Sequence, residues 1–186
     1  MKVIKFTVIF LVVVSASFLS VGFISPNVTY ETTVLVDKPV AHSFTVFNNP
    51  FNMNKWMPGF KSINPLSGLP NEVGSRWELV FEEGGEEIVV IEEMTGFERN
   101  KLFAFNLSGD VLNSKVKITF EEVDGKTKIT ATTIATGNNM VLRSLFPLMK
   151  SSFEARELEA YTNLKKLIES EDYHNDLMMK LRLNQG

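Results

Sequence analysis

From Val28 to Thr136 the chain alternates between apolar and polar residues with a period of two, in short runs punctuated by turns. Val28–Val36, Lys61–Leu66, Ser75–Glu82, Glu87–Met94, Lys101–Leu107, Val111–Glu122 and Lys126–Thr136 each predict a strand. In Ser75–Glu82 the side chains of Trp77, Leu79 and Phe81 point one way, those of Arg76, Glu78 and Glu82 the other. Phe103, Phe105 and Leu107 share a face, as do Leu112, Val116, Ile118 and Phe120. Lys126, Lys128, Thr130 and Thr132 mark the wet side of the last run. Glu83-Gly84-Gly85-Glu86 and Asp124-Gly125 are hairpin turns. The pattern predicts an antiparallel sheet with one dry and one solvated face.

After Thr136 the period changes. Gly137-Asn138-Asn139 breaks the sheet, and Asn138–Ser170 reads as a helix with Leu142, Leu145, Phe146, Met149, Phe153, Ala160, Leu164 and Leu167 on one side. Roughly 30 helical residues span about 45 Å. Pro147 inside the pattern predicts a kink, or a short helix leading into the main one. Between the first two strands, Pro39 opens a short helix at Val40–Phe47. Asn48–Phe60 holds a second short helix that ends before Pro58. A sheet curled around one long helix, with a cavity between them, is the expected α+β architecture.

The N-terminus follows neither period. Lys2 and Lys5 precede Phe6–Ile24, a 19-residue run without charge, near the length that crosses a bilayer. It reads as an uncleaved anchor, or as a signal peptide cleaved near Ser15-Ala16-Ser17. With the lysines ahead of the run, the positive-inside rule puts the domain outside the cytoplasm. In the anchor reading it stays tethered to the membrane; in the other it is secreted or periplasmic. The expected divisions are 1–25 (anchor or signal), 26–170 (domain) and 171–186 (tail).

Composition narrows the function. Fifteen Phe against two Trp and three Tyr in 186 residues favour an apolar interior. Net charge is −3, and no basic patch is interleaved with aromatics, so nucleic acid is not an expected partner. With no cysteine, disulfides, thiol catalysis and cysteine-ligated zinc are excluded. The chain has no GxSxG elbow, P-loop or dinucleotide-binding glycine fingerprint, and no cofactor is expected. His42 and His174 are the chain's two histidines, and a metal site is not expected.

Three passages carry a family resemblance. VLVDKPVAHSFTVFNN is similar to a first strand entering a helix at Pro39. KWMPGFKSINPLSGLPNEVGSRWEL resembles a tryptophan–proline segment followed by two strands. VDGKTKITATT with LRSLFPLMKSSFEARELEAYTNLKKLIE resembles a final hairpin and closing helix. In order and spacing they resemble the helix-grip fold of the START-related (SRPBCC) superfamily, in its polyketide cyclase/dehydrase and lipid transport branch, over about Val28–Ser170. The resemblance implies about seven strands wrapped around a C-terminal helix, two short helices after the first strand, and a hydrophobic ligand cavity. It does not imply a single activity.

The expected cavity lining is Trp56, Phe60, Trp77, Phe81, Phe103, Phe105, Phe120, Met149 and Phe153, with plain core packing as the competing reading. Arg156 and Glu157 flank the apolar stripe of the long helix, where either would orient a ligand head or snorkel to solvent. Glu92 shares a face with Ile88, Val90 and Met94, but Val89 and Ile91 are apolar too, which leaves the register open. The expected function is binding or transport of a lipid or other hydrophobic small molecule. The alternatives are a cyclase/dehydrase-like enzyme using Arg156, Glu157 or His42, and an interaction module with a filled core. The sequence does not set the oligomeric state.

Overall fold

The computed structural model describes residues 2–170; the expected tail, 171–186 with His174, lies outside the described residues. The order is α1 (Lys2–Ile24), β1 (Asn27–Val36), α2 (Val40–Phe47), a 3-10 turn (Pro50–Asn52), α3 (Met53–Trp56), β2 (Phe60–Ser67), β3 (Arg76–Glu83), β4 (Glu86–Glu98) and β5 (Leu102–Gly109). Next come β6 (Leu112–Val123), β7 (Lys126–Gly137), α4 (Met140–Leu145), a second 3-10 turn (Phe146–Met149) and α5 (Lys150–Ser170).

Every expected strand forms, and all join one antiparallel sheet in the order β1-β7-β6-β5-β4-β3-β2. β4 continues past the expected end at Met94 to Glu98, through an irregularity between Met94 and Gly96 that bends the strand. Asp124 and Gly125 both take positive φ, 51° and 75°, as the tight β6–β7 turn requires.

Residues opposite one another in an antiparallel pair share a face, so the register traces rows across the concave side. One row is Trp77, Glu92, Leu107, Ser114, Ala135 and Val28. The next is Met94, Phe105, Val116, Thr133 and Tyr30. Beyond it lie Phe97, Phe103, Ile118, Ala131 and Thr32, then Phe120, Ile129 and Val34. The register left open in the sequence is thereby decided: Glu92 faces inward.

α5 lies against β1, with α2 and α3 packed on its C-terminal half. The core sits there, around Val36, Phe44, Phe47, Trp56, Phe120, Ile129, Leu164 and Ile168. The expected long helix divides at Pro147 into α4, a 3-10 turn and α5. Asn139 caps α4 by accepting the N–H of Leu142 at 3.0 Å. Along α5 the buried positions are Tyr161, Leu164 and Ile168, with Phe153 and Glu157 half-buried above them. The buried stripe is turned by about one residue from the expected Ala160–Leu164–Leu167 line.

α1 is long and apolar enough to cross a membrane over Val3–Ile24, and this stretch is almost entirely exposed. Its last turn is the exception. The Gly22 N–H donates to Ser144 Oγ on α4 at 3.1 Å. A Cβ on Gly22 would stand 2.5 Å from that oxygen, so glycine is required for the approach.

Candidate functional site

The alternation of β1 sends Tyr30 and Thr32 to the concave face between Val28 and Val34. Directly opposite Tyr30, β7 contributes Thr133, which is buried. Helical spacing on α5 then brings Phe153, Glu157 and Tyr161 over these three residues. Thr133 Oγ1 donates to Glu157 Oε2 at 2.6 Å, and Thr32 is hydrogen-bonded to the same carboxylate. The Tyr30 hydroxyl is hydrogen-bonded to Thr133. Because the single hydroxyl proton of Thr133 goes to Glu157, Tyr30 must be the donor in that bond. A directed chain Tyr30 → Thr133 → Glu157 results.

Burial raises the pKa of Glu157, opposed by the hydrogen bonds from Thr133 and Thr32. No cation pairs with this carboxyl among the described residues. Its second oxygen, Oε1, is buried without a hydrogen-bond partner. Tyr30 and Tyr161 are held as neutral phenols, first by burial and then by the neighbouring Glu157 charge. The apolar wall of the cluster is Phe153, stacked on Tyr30 with ring centroids 6.1 Å apart and met edge-on by Phe146 at 5.1 Å. The cluster thus offers one unfilled acceptor beside aromatic faces.

A second inward carboxyl lies across the sheet. Glu92 is 7% exposed between Trp77 and Leu107, and burial pushes its pKa up to about 7.

The sequence-predicted residues divide between several regions. Trp56, Phe103, Phe105 and Phe120 belong to the aromatic core or pack on it. Phe47 joins them, meeting Phe103 at 5.3 Å, Phe120 at 5.2 Å and Trp56 at 5.8 Å. Phe60 and Phe81 form an edge-on pair on β2 and β3, 5.8 Å apart. Trp77 is half-buried beside Glu92, and Met149 is 37% exposed at the entry to α5. Of the expected lining, Phe153 stacks on Tyr30, and Trp56 meets Tyr161 with ring centroids 6.0 Å apart.

Arg156 turns outward into an ion pair with Glu83 on the β3–β4 hairpin. His42 is buried, with Nε2 3.1 Å from the Ile168 carbonyl at the end of α5. Among the three groups weighed for proton transfer, Glu157 is therefore the one in the concave interior. Sequence reasoning missed Tyr30, Thr32, Thr133 and Tyr161. The signal was present: alternation through Val28 and Val34 selects Tyr30 and Thr32, and steps of four from Phe153 pass through Glu157 and Tyr161. A shallow hollow of about 190 Å³ elsewhere on the sheet is lined by Asn106, Leu107, Ser108, Asn113, Ser114, Lys115 and Ile134, and includes none of the predicted residues.

No protein-family model matches the chain, and no curated protein matches its sequence. Solved structures do match. Ara h 8.0201 aligns with a TM-score of 0.64 at 15% identity, covering 78% of this chain and 99% of that one. TTHA0849 from Thermus thermophilus aligns with a TM-score of 0.64 at 11% identity, covering 76% and 97%. The Zhui aromatase/cyclase from Streptomyces sp. R1128 aligns with a TM-score of 0.60 at 12% identity, covering 76% and 93%. At these identities it is the backbone that is shared: seven antiparallel strands wrapped about a C-terminal helix, which is the helix-grip fold.

Proposed function

We propose that this chain is a membrane-anchored binder or carrier of an apolar small molecule or lipid, held between the sheet and α5 with a hydrogen-bond donor on Glu157. The observation that carries the reading is the unpartnered, buried Glu157 Oε1 beside the Tyr30–Phe153 stack. A buried acceptor without a partner is costly, and a ligand hydroxyl or amine N–H removes that cost while its apolar body covers the rings. Phe153 and Met149 line the polar half of the site, and Trp77 with Phe81 and Phe60 lines the side facing Glu92. Trp56, Phe103, Phe105 and Phe120 form its floor, and Arg156 its outer rim. α1 is the retained anchor, and the domain is extracytoplasmic.

The test is mass spectrometry of solvent extracts from the full-length protein, purified gently from its own membrane, beside Glu157→Gln. Glutamine turns its oxygen to Thr133 and Thr32 and presents an N–H where lone pairs had been. The expected result is a discrete apolar molecule on the parent protein. Affinity of the variant for that molecule falls about tenfold, ~1.4 kcal/mol. A bare protein that also takes up no apolar dye would leave the interaction module as the better reading.

The raised pKa of Glu157 favours a second reading, a cyclase/dehydrase-like enzyme in which that carboxyl moves a proton. In that case Glu157→Gln loses turnover and retains binding.

A further inference from the structure

The connection between α1 and the sheet is very short. Ile24 ends the helix and Asn27 begins β1, leaving Ser25 and Pro26 between them. Two extended residues reach about 7 Å, so the start of β1 cannot stand far from the end of α1. The Gly22–Ser144 contact then fixes α4 against that last helical turn, and Ser144 Oγ lies 3.4 Å from the Leu19 carbonyl as well. The link from β7 into α4 in turn holds the β5–β6 turn: the Asn138 N–H donates to the Val111 carbonyl at 3.0 Å, and Asn138 Nδ2 donates to the Gly109 carbonyl at 2.5 Å.

Around this joint the surface is apolar. Val111, Met140, Val141, Leu145 and Leu148 are all exposed, Leu148 by 70% and Val141 by 56%. The chain carries no acid from Gly125 to Phe153, while Arg143 and Lys150 flank the apolar run; Asp110 shares the turn with Val111. An apolar surface flanked by basic residues and continuous with a membrane-length helix matches an element that lies in the headgroup–acyl boundary.

We infer that α4, the 3-10 turn after it and the β5–β6 turn are seated in the outer boundary of the bilayer that α1 crosses. The occupant of this face is therefore the phospholipid surface itself. The inference rests on the retained anchor of the proposed function. The anchor becomes a fixed joint, and of the four rows traced across the concave face Trp77–Glu92–Leu107–Ser114–Ala135–Val28 becomes the one nearest the lipid.

The absence of cysteine allows a unique reporter at any position. Full-length Leu148→Cys, Val141→Cys and Val123→Cys are labelled with an environment-sensitive fluorophore. Each is reconstituted into vesicles of phosphatidylcholine with phosphatidylglycerol, with spin labels on the lipid chains near the headgroup. Val123 lies beside the β6–β7 turn at the other end of the sheet and serves as the aqueous control. Reporters at 148 and 141 should shift to shorter wavelength and be quenched by the spin-labelled lipid, while the reporter at 123 does neither. Matching aqueous emission at 148 and 123 overturns the inference. So does a reporter at 148 that is shielded without lipid quenching and follows protein density, which would mean a second copy covers the face. Intact mass of the membrane-derived protein separates the two failures. A cleaved N-terminus sinks the anchor reading, whereas an intact chain with an aqueous Leu148 reporter sinks the bilayer seat alone.

Discussion

The two ends of the concave face are built by the same alternating strands, yet they use their side chains in opposite ways. At the α2–α3 end Phe44, Phe47, Phe97 and Phe120 meet ring to ring, beside Trp56, whose indole N–H is buried without a hydrogen-bond partner. At the α4 end of α5 the inward positions are Tyr30, Thr32, Thr133 and Glu157, which satisfy one another except for one oxygen. The first end is closed by dispersion and area burial. The second is a hydrogen-bonded network with one acceptor to spare. Ring packing and hydrogen bonding are therefore assigned to different rows of one sheet.

That division predicts a graded set of effects. Phe120→Ala should lower stability by about 3–5 kcal/mol, read by chemical denaturation. A loss below ~1 kcal/mol would mean that the rings are not close-packed, and the contrast between the two ends would fail.

Glu92 comes next. With its pKa raised from 4.5 to about 7, its stabilisation of the fold is complete below pH 4.5, where both states are protonated. Stability then falls as pH rises from 4.5 to about 7 and levels off above, for a total of about 3 kcal/mol. Glu92→Gln should remove this slope and be the more stable protein at pH 8, as denaturation at a series of pH values would reveal.

Thr133→Val should cost about 1 kcal/mol, because Glu157 and Tyr30 each lose a partner. In a double-mutant cycle with Tyr30→Phe the two losses should not add, which sharpens the case for a single relay. The smallest effect belongs to Arg156→Ala. Its ion pair with Glu83 is about half exposed on both sides, so less than ~1 kcal/mol is expected, read by chemical denaturation.

Much of this was legible in the sequence: the strands follow from the period-two alternation, and Pro39, Pro58 and Pro147 mark the short helices and the break in the long one. Phe103, Phe105 and Phe120 could also be placed on the dry face. Their neighbours could not, since which rings meet α2 depends on how far the sheet curls, and the bend near Gly96 has no period of its own. Arg156 and Glu157 are adjacent on α5 and looked equivalent. A turn of the helix by one residue sends one to Glu83 and the other to Thr133. Threonine, ambiguous between wet and dry faces, concealed Thr32 and Thr133.

The pairing of β1 with β7 bears on how the molecule comes into being. Asn27 lies opposite Thr136 and Val36 opposite Thr127. At ~5–20 residues per second, the roughly 100 residues between partners take on the order of 5–20 s to synthesise. Throughout that interval the first strand has no native neighbour in the sheet. A Val- and Thr-rich edge waiting unpaired is a hazard for mispairing between nascent chains. The ribosome must finish the last hairpin before the first strand is safe.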